Sequence, residues 1–153
     1  MIRKRCFLLF LGLVFAGSFA ASQEAEEPEN FPPQAIIIAS YCGDENMVRE
    51  IIAAGTDKDV RDSLGCTALH AAMYQNNLVV IKLLLDNGFD LNAKDTKHGY
   101  TPLHTAVVAN NAAAARLLIQ YGADKGIRDM DRLTPLDKAR RMDKQDMVRI
   151  LIR

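Results

Sequence analysis

"GCTALHAAMYQNN" (residues 65–77) and "GYTPLHTAVVANN" (residues 99–111) nearly quote each other, and "RLTPLDKARRMDK" (residues 132–144) begins the same statement a third time. Repetition at this spacing in a chain of 153 residues points to an array of like units rather than one irregular fold. The markers agree on the period. Thr67, Thr101 and Thr134 are 34 and 33 positions apart, and Gly55, Gly88 and Gly122 are 33 and 34 apart. The extra residue falls in "DTKHG", where Asp95 to Gly99 is one longer than Asp62 to Gly65. An earlier copy is visible too: Gly43 precedes Gly55 by twelve, as Asn76 precedes Gly88 and Asn110 precedes Gly122.

Each unit has a physical reading of its own. The Thr-Pro-Leu-His element opens a helix: the hydroxyl of Thr67, Thr101 or Thr134 can accept from a helix amide that has no partner, and Pro102 and Pro135 give up an amide that needs none. A short apolar helix is expected over residues 69–76, then a second over 78–87 with Val80, Ile81, Leu84 and Leu85 as its buried stripe. Gly88 and Gly122 stop such second helices, because glycine takes the left-handed conformation at little cost. The polar, turn-rich stretch before the next threonine, such as "NAKDTKHGY", is expected to project as a hairpin-like finger.

The N-terminal segment stands outside this pattern. "MIRKR" is basic, "CFLLFLGLVFAG" is apolar and uncharged, and "SFA" ends in small residues, so residues 1–20 read as a signal peptide cut after Ala20 or a residue or two later. A retained membrane anchor is the competing reading, but the strongly apolar core is only about a dozen residues where a spanning helix needs roughly 20. The chain has 19 basic and 19 acidic residues; losing Arg3, Lys4 and Arg5 leaves 16 against 19, a net charge of minus three. That balance gives no electrostatic reason to bind nucleic acid or an anionic membrane. Residues 21–33, "ASQEAEEPENFPP", are acidic and punctuated by proline, and read as a linker. Export would place the protein outside the cytoplasm, in a periplasm or secreted.

Beyond residue 33 the chain resembles the ankyrin-repeat family. "TALHAA" at 67–72, "TPLHTAV" at 101–107, "LLLDNGFDLNAKD" at 83–95 and "LLIQYGADKGIRD" at 117–129 follow its motif in order and spacing. The resemblance implies an all-α repeat solenoid, an ankyrin-like stack of four helix-turn-helix units with hairpin-like fingers over residues 34–153. The units are an N-terminal cap (34–66), two internal repeats (67–100 and 101–133) and a C-terminal cap (134–153). The first lacks the opening Thr-Pro-Leu-His. The last has Asp137 in place of histidine and carries Arg140, Arg141, Lys144, Gln145 and Arg149, an outward polar face suited to the end of a stack. One helical pair cannot cover both of its apolar faces, so units stack, and an elongated monomer is expected.

No glycine-rich phosphate loop, nucleophile elbow or CxxC pair is present, so an enzyme is not expected, and neither a metal nor another cofactor is implied. In the family the histidine of the motif is understood to tie fingers and helices together, which makes His70 and His104 structural rather than catalytic. Asp62, Asp95 and Asp129 recur at one place in each finger and suit turn formation. Cys6 leaves with the signal. Cys42 and Cys66 are placed about 12 Å apart along a helix of eight residues, too far for the roughly 7 Å that a disulfide allows. Thiols outside the cytoplasm could instead join two molecules or meet oxidants.

The resemblance implies a concave binding face made of the fingers and the exposed side of each first helix. Its variable places are Tyr41, Arg61, Ser63, Leu64, Tyr74, Gln75, Lys94, Lys97, His98, Tyr100, Arg128, Met130, Leu133, Arg141 and Met142. Tyrosine, arginine and methionine are residue types enriched at interfaces between proteins. The leading expectation is an exported module that binds another protein through this face. The second is an accessory factor in antioxidant or redox defence, which the resemblance permits because some bacterial envelope ankyrin proteins have that association.

Overall fold

The structure, a computed structural model, describes residues 31–152 other than Asn76. The expected signal peptide and most of the acidic linker lie outside the described residues. Among the described residues eight helices follow in four consecutive pairs: α1 (Ala35–Cys42) and α2 (Glu45–Ala53), α3 (Ala68–Ala72) and α4 (Leu78–Asp86), α5 (Pro102–Val108) and α6 (Ala112–Gln120), α7 (Pro135–Arg141) and α8 (Gln145–Ile152). There is no strand among the described residues. First helices pack in the sequence α1, α3, α5, α7, and second helices in the sequence α2, α4, α6, α8. Two layers result, each unit touching chiefly its neighbours, and the fold is an all-α repeat solenoid.

Local chemistry explains where these helices begin. The hydroxyls of Thr101 and Thr134 accept from the amides of His104 (3.4 Å) and Asp137 (3.2 Å), with Pro102 and Pro135 in the first turn. The third residue of the helix returns the bond: the amides of Thr67 and Thr101 donate to Nδ1 of His70 and His104, and that of Thr134 to Oδ2 of Asp137. Asp137 therefore fills the histidine position with a carboxylate that does half of its task. Second helices are capped by Asp44, Asn77 and Asn111, whose side chains accept from Met47, Val79 and Ala114.

The ends differ a little from expectation. α3 stops at Ala72, earlier than residue 76, because the amides of Met73, Tyr74 and Gln75 bond to carbonyls three residues back and tighten the chain into turns. After α4, the amides of Gly88 and Phe89 bond to Leu85 and Leu84; after α6, those of Gly122 and Ala123 bond to Ile119 and Leu118. Both glycines are left-handed, with φ of 76° and 89°.

The core runs through the stack. Ile36, Ile51, Leu69, Ile81, Leu84, Leu103, Leu118 and Met147 are fully buried, and Phe31, read from sequence as linker, packs against the same cluster. Each large apolar side chain so buried contributes about 1.5–3 kcal/mol, set against an ordering entropy of similar total size. Polar ties join the units as well. Asn77 Nδ2 donates to the Gly43 carbonyl (3.0 Å), and Asn111 Nδ2 to those of Met73 and Gln75 (both 3.2 Å). In the last unit Lys144 replaces the asparagine. Expected on the outward face, it instead reaches back to the carbonyls of Val107 (2.8 Å) and Val108 (2.7 Å), and its half-burial lowers its pKa.

Neighbouring fingers touch closely at Gly65. A methyl group there would lie 2.7 Å from the Thr96 amide nitrogen, which bonds to the Leu64 carbonyl and so joins two fingers. Gly55 shares the left-handed conformation but faces open space. Gly55→Ala is expected to cost about 1–2 kcal/mol from backbone strain alone, and Gly65→Ala roughly 3 kcal/mol or more from strain plus overpacking. Urea midpoints of the two variants check this; equal losses would mean that the finger contact carries no stability.

Candidate interaction face

The fingers are built around three aspartates. Asp62 Oδ1 accepts from the amides of Leu64 and Cys66 (both 2.8 Å), Asp95 Oδ1 from His98 (2.6 Å) and Gly99 (3.0 Å), and Asp129 Oδ1 from Leu133 (2.9 Å). One backbone bond closes each finger, from Asp62 to Cys66, Asp95 to Tyr100 and Asp129 to Leu133. Fingers then join edge to edge: Thr96 donates to Leu64, and Met130 to His98 (both 2.9 Å). Arg61 reinforces the first join, donating through Nη1 to the carbonyls of Gly65 (3.0 Å) and Lys94 (2.8 Å).

Two imidazoles fix fingers to helices. A backbone amide can only donate, so Nδ1 of His70 and of His104 is the acceptor and Nε2 carries the proton. Each Nε2 then donates forward into the next finger, His70 to the Tyr100 carbonyl (2.9 Å) and His104 to that of Leu133 (3.1 Å). Burial holds both imidazoles below their ordinary pKa, against the opposing pull of those carbonyls. With both nitrogens engaged and the rings about 1% exposed or less, neither side chain is available as a metal ligand or a general base.

A second buried tie was not apparent in the sequence. Lys138 on α7 donates through Nζ to Asp129 Oδ2 (2.9 Å) and lies 4.6 Å from the centre of the Tyr100 ring. Burial opposes both charges, but the hydrogen bonds prevail: the Asp129 pKa is lowered and that of Lys138 raised. Tyr100 is also stacked between histidines in sequence, with its ring 4.8 Å from His98 and 5.7 Å from His104. Lys138 stands between Asp137 and Ala139, and nothing in that local pattern marks it as turning inward.

The residues predicted to bind a partner fall into two groups. Tyr41, Ser63, Leu64, Tyr74, Lys94, Lys97, His98, Met130, Arg141 and Met142 are exposed, and the rings of Tyr41 and Tyr74 meet with centres 6.3 Å apart. The others are braced. Arg61 and Arg128 are exposed, but Arg61 joins fingers as described and Arg128 donates to the Arg132 carbonyl (2.7 Å). Gln75, Tyr100 and Leu133 are half-buried and lend backbone carbonyls to inter-unit bonds. Open hollows of about 480 Å³ (Met73, Tyr74, Asn111, Arg116) and 470 Å³ (Arg116, Gln120, Asp146, Arg149) pair no nucleophile with a base.

No disulfide joins Cys42 to Cys66. Burial, with help from Asp62 and Asp95, pushes the Cys66 thiol up to about 11. At neutral pH nearly all of it is protonated, whereas the thiolate is the reactive form. Among the described residues no group of three or more histidine, cysteine or acidic side chains is placed to hold a metal, and no helix is long and apolar enough to cross a membrane.

Four stacked helical pairs, fingers joined edge to edge and imidazoles bonding forward define a repeat protein of the interaction class. A family model for ankyrin repeats in three copies matches residues 35–129, and the chain belongs to the ankyrin-repeat family. Such repeats are generally modules that bind other proteins.

The histidine pair makes stability depend on pH. Because the folded pKa lies below the ordinary value of 6.5, the unfolded chain binds more protons as pH falls through that value. The contribution is complete above pH 6.5 and is lost progressively below it. Urea unfolding between pH 7.5 and 5 is expected to show this decline. His70→Asn with His104→Asn should lower stability at pH 7.5 by about 2–3 kcal/mol, from hydrogen bonds lost in the core, and flatten the slope. An unchanged slope in the double variant would assign the pH dependence to other groups.

Proposed function

We propose that this chain is an exported, monomeric module that binds another protein through its fingers and the exposed side of its first helices. The observation that carries the reading is the exposed set Tyr41, Leu64, Tyr74, Met130 and Met142, apolar side chains on an otherwise basic side of the stack. Leu64, Tyr74 and Met130 are 45%, 56% and 63% exposed, so covering them removes apolar surface from water at about 25 cal/mol per Å². Aromatic and methionine side chains of this kind are what interface centres are made from. The reading calls for no cofactor and assigns the chain no reaction.

The sequence of residues 1–20 supports export, and with it a periplasmic or extracellular place of work. The redox reading gains no support at Cys66, whose thiol is held protonated. Exposed Cys42 leaves an intermolecular disulfide as the form in which that reading can be tested.

Affinity capture from extracytoplasmic extract tests the reading. The variant Leu64→Ala, Tyr74→Ala, Met130→Ala is expected to lose the captured protein by about tenfold or more, the loss of a few interface anchors, while Arg116→Ala on α6 retains it. Circular dichroism confirms that both fold. Equal capture by both would remove the finger side as the binding face. For export, N-terminal sequencing of chain recovered outside the cytoplasm is expected to begin after Ala20 or within a residue or two; a chain that stays inside uncleaved would overturn it.

A further inference from the structure

The charges on this stack are segregated. Arg61, Lys94, Lys97, Arg128, Arg132 and Arg141 are exposed on the fingers and α7, whereas Asp62, Asp95 and Asp129 are folded into the turns they make. Of the acidic residues at the finger tips only Asp131 is exposed, and it lies 3.6 Å from Lys138 and 4.0 Å from Arg141. The finger edge is therefore a row of cations with little acidic compensation. The chain also carries its complement: residues 21–30 contain Glu24, Glu26, Glu27 and Glu29 and no basic residue.

The fold sets where that segment enters. The carbonyl of Gly43, just after α1, accepts from Nδ2 of Asn77 (3.0 Å), which lies in the turn after α3. The C-terminal ends of α1 and α3 thus lie side by side, and since the two helices pack together their N-terminal ends do too. The N-terminal end of α3 is where the first finger joins it, at Cys66 and Thr67. The start of α1, and with it the point from which residues 21–30 extend, is consequently on the finger side of the stack. Ten residues extended reach about 33 Å, and helices packed 8–10 Å apart place three successive fingers within roughly 30 Å.

We propose that residues 24–29 dock on the finger edge of their own chain, their glutamates facing Lys94, Lys97 and the finger arginines, and compete there with the partner. Exposed ion pairs are individually weak, but a tethered segment acts at an effective concentration in the millimolar range, so weak pairing suffices. The partner that displaces it presents acidic side chains to the same cations. This inference rests on the finger side being the binding face.

Carbodiimide coupling of the full chain tests it, because the reagent joins a carboxylate to a lysine amine only when the two are in contact. Links from Glu24, Glu26, Glu27 or Glu29 to Lys94 and Lys97 are expected within one chain, in excess over links to Lys58, Lys82 and Lys125 elsewhere on the stack. Their yield should fall about tenfold from 0.01 M to 1 M salt, as the screening length contracts from about 30 Å to 3 Å. Mixing ¹⁴N and ¹⁵N chains identifies the source: mixed-isotope links would assign the edge to a second copy and overturn the proposal. Links spread evenly over all lysines, or no links, would overturn it too. Capture of a partner does not depend on these links, so the two readings fail separately.

Discussion

A hydrogen bond from one unit into the next is the constraint on which this structure rests. His70 and His104 sit inside first helices, accept from the amide of their own threonine and donate to a finger carbonyl of the following unit. A buried imidazole with either nitrogen unsatisfied would cost more than the bond contributes when made, so the register between units is specified rather than merely permitted. Apolar burial supplies most of the driving force, but it is non-directional; these bonds, with Asn77 and Asn111, decide which face meets which.

The same logic shapes the ends. In the fourth unit Asp137 stands where histidine stood before, bonding back to Thr134 and so closing the helix start without reaching forward. That unit does need ties backward, and lysines provide them: Lys138 pairs with Asp129, and Lys144 takes the place of asparagine in reaching the carbonyls after α5. Lys138 sets its cation on a carboxylate beside the Tyr100 ring and Lys144 on two carbonyls, partners that offset part of the cost of taking a charge out of water. At the other end α1 begins without a side-chain cap, and Phe31 closes over the core instead.

The proposed function rests on what this internal bonding leaves over. The aspartates spend their charge on turns, while Lys94 and Lys97 face water on the same fingers as exposed Leu64 and Met130. As proposed, a face both cationic and locally apolar would discriminate by sign as well as by shape, since weakly paired charges govern specificity and encounter more than affinity. The scaffold beneath is braced by Arg61 and Arg128, so the face is held in place before any partner arrives.

Period, helix starts, glycine stops and the family itself were legible because each rests on local chemistry that a single unit states and its neighbours repeat: a hydroxyl beside free amides, a proline in a first turn, a glycine where φ is positive. Candidate surface residues were legible only as positions. Whether Arg61 reaches solvent or a neighbouring carbonyl, whether Tyr100 projects or stacks on His98 and His104, and whether Lys144 faces out or back all depend on atoms some thirty residues away. The sequence by itself determined the units and their order, since these are set by contacts within three or four residues. Only the tertiary structure decided which polar groups hold the stack together and which remain for a partner, because that division is made between units and no unit contains it.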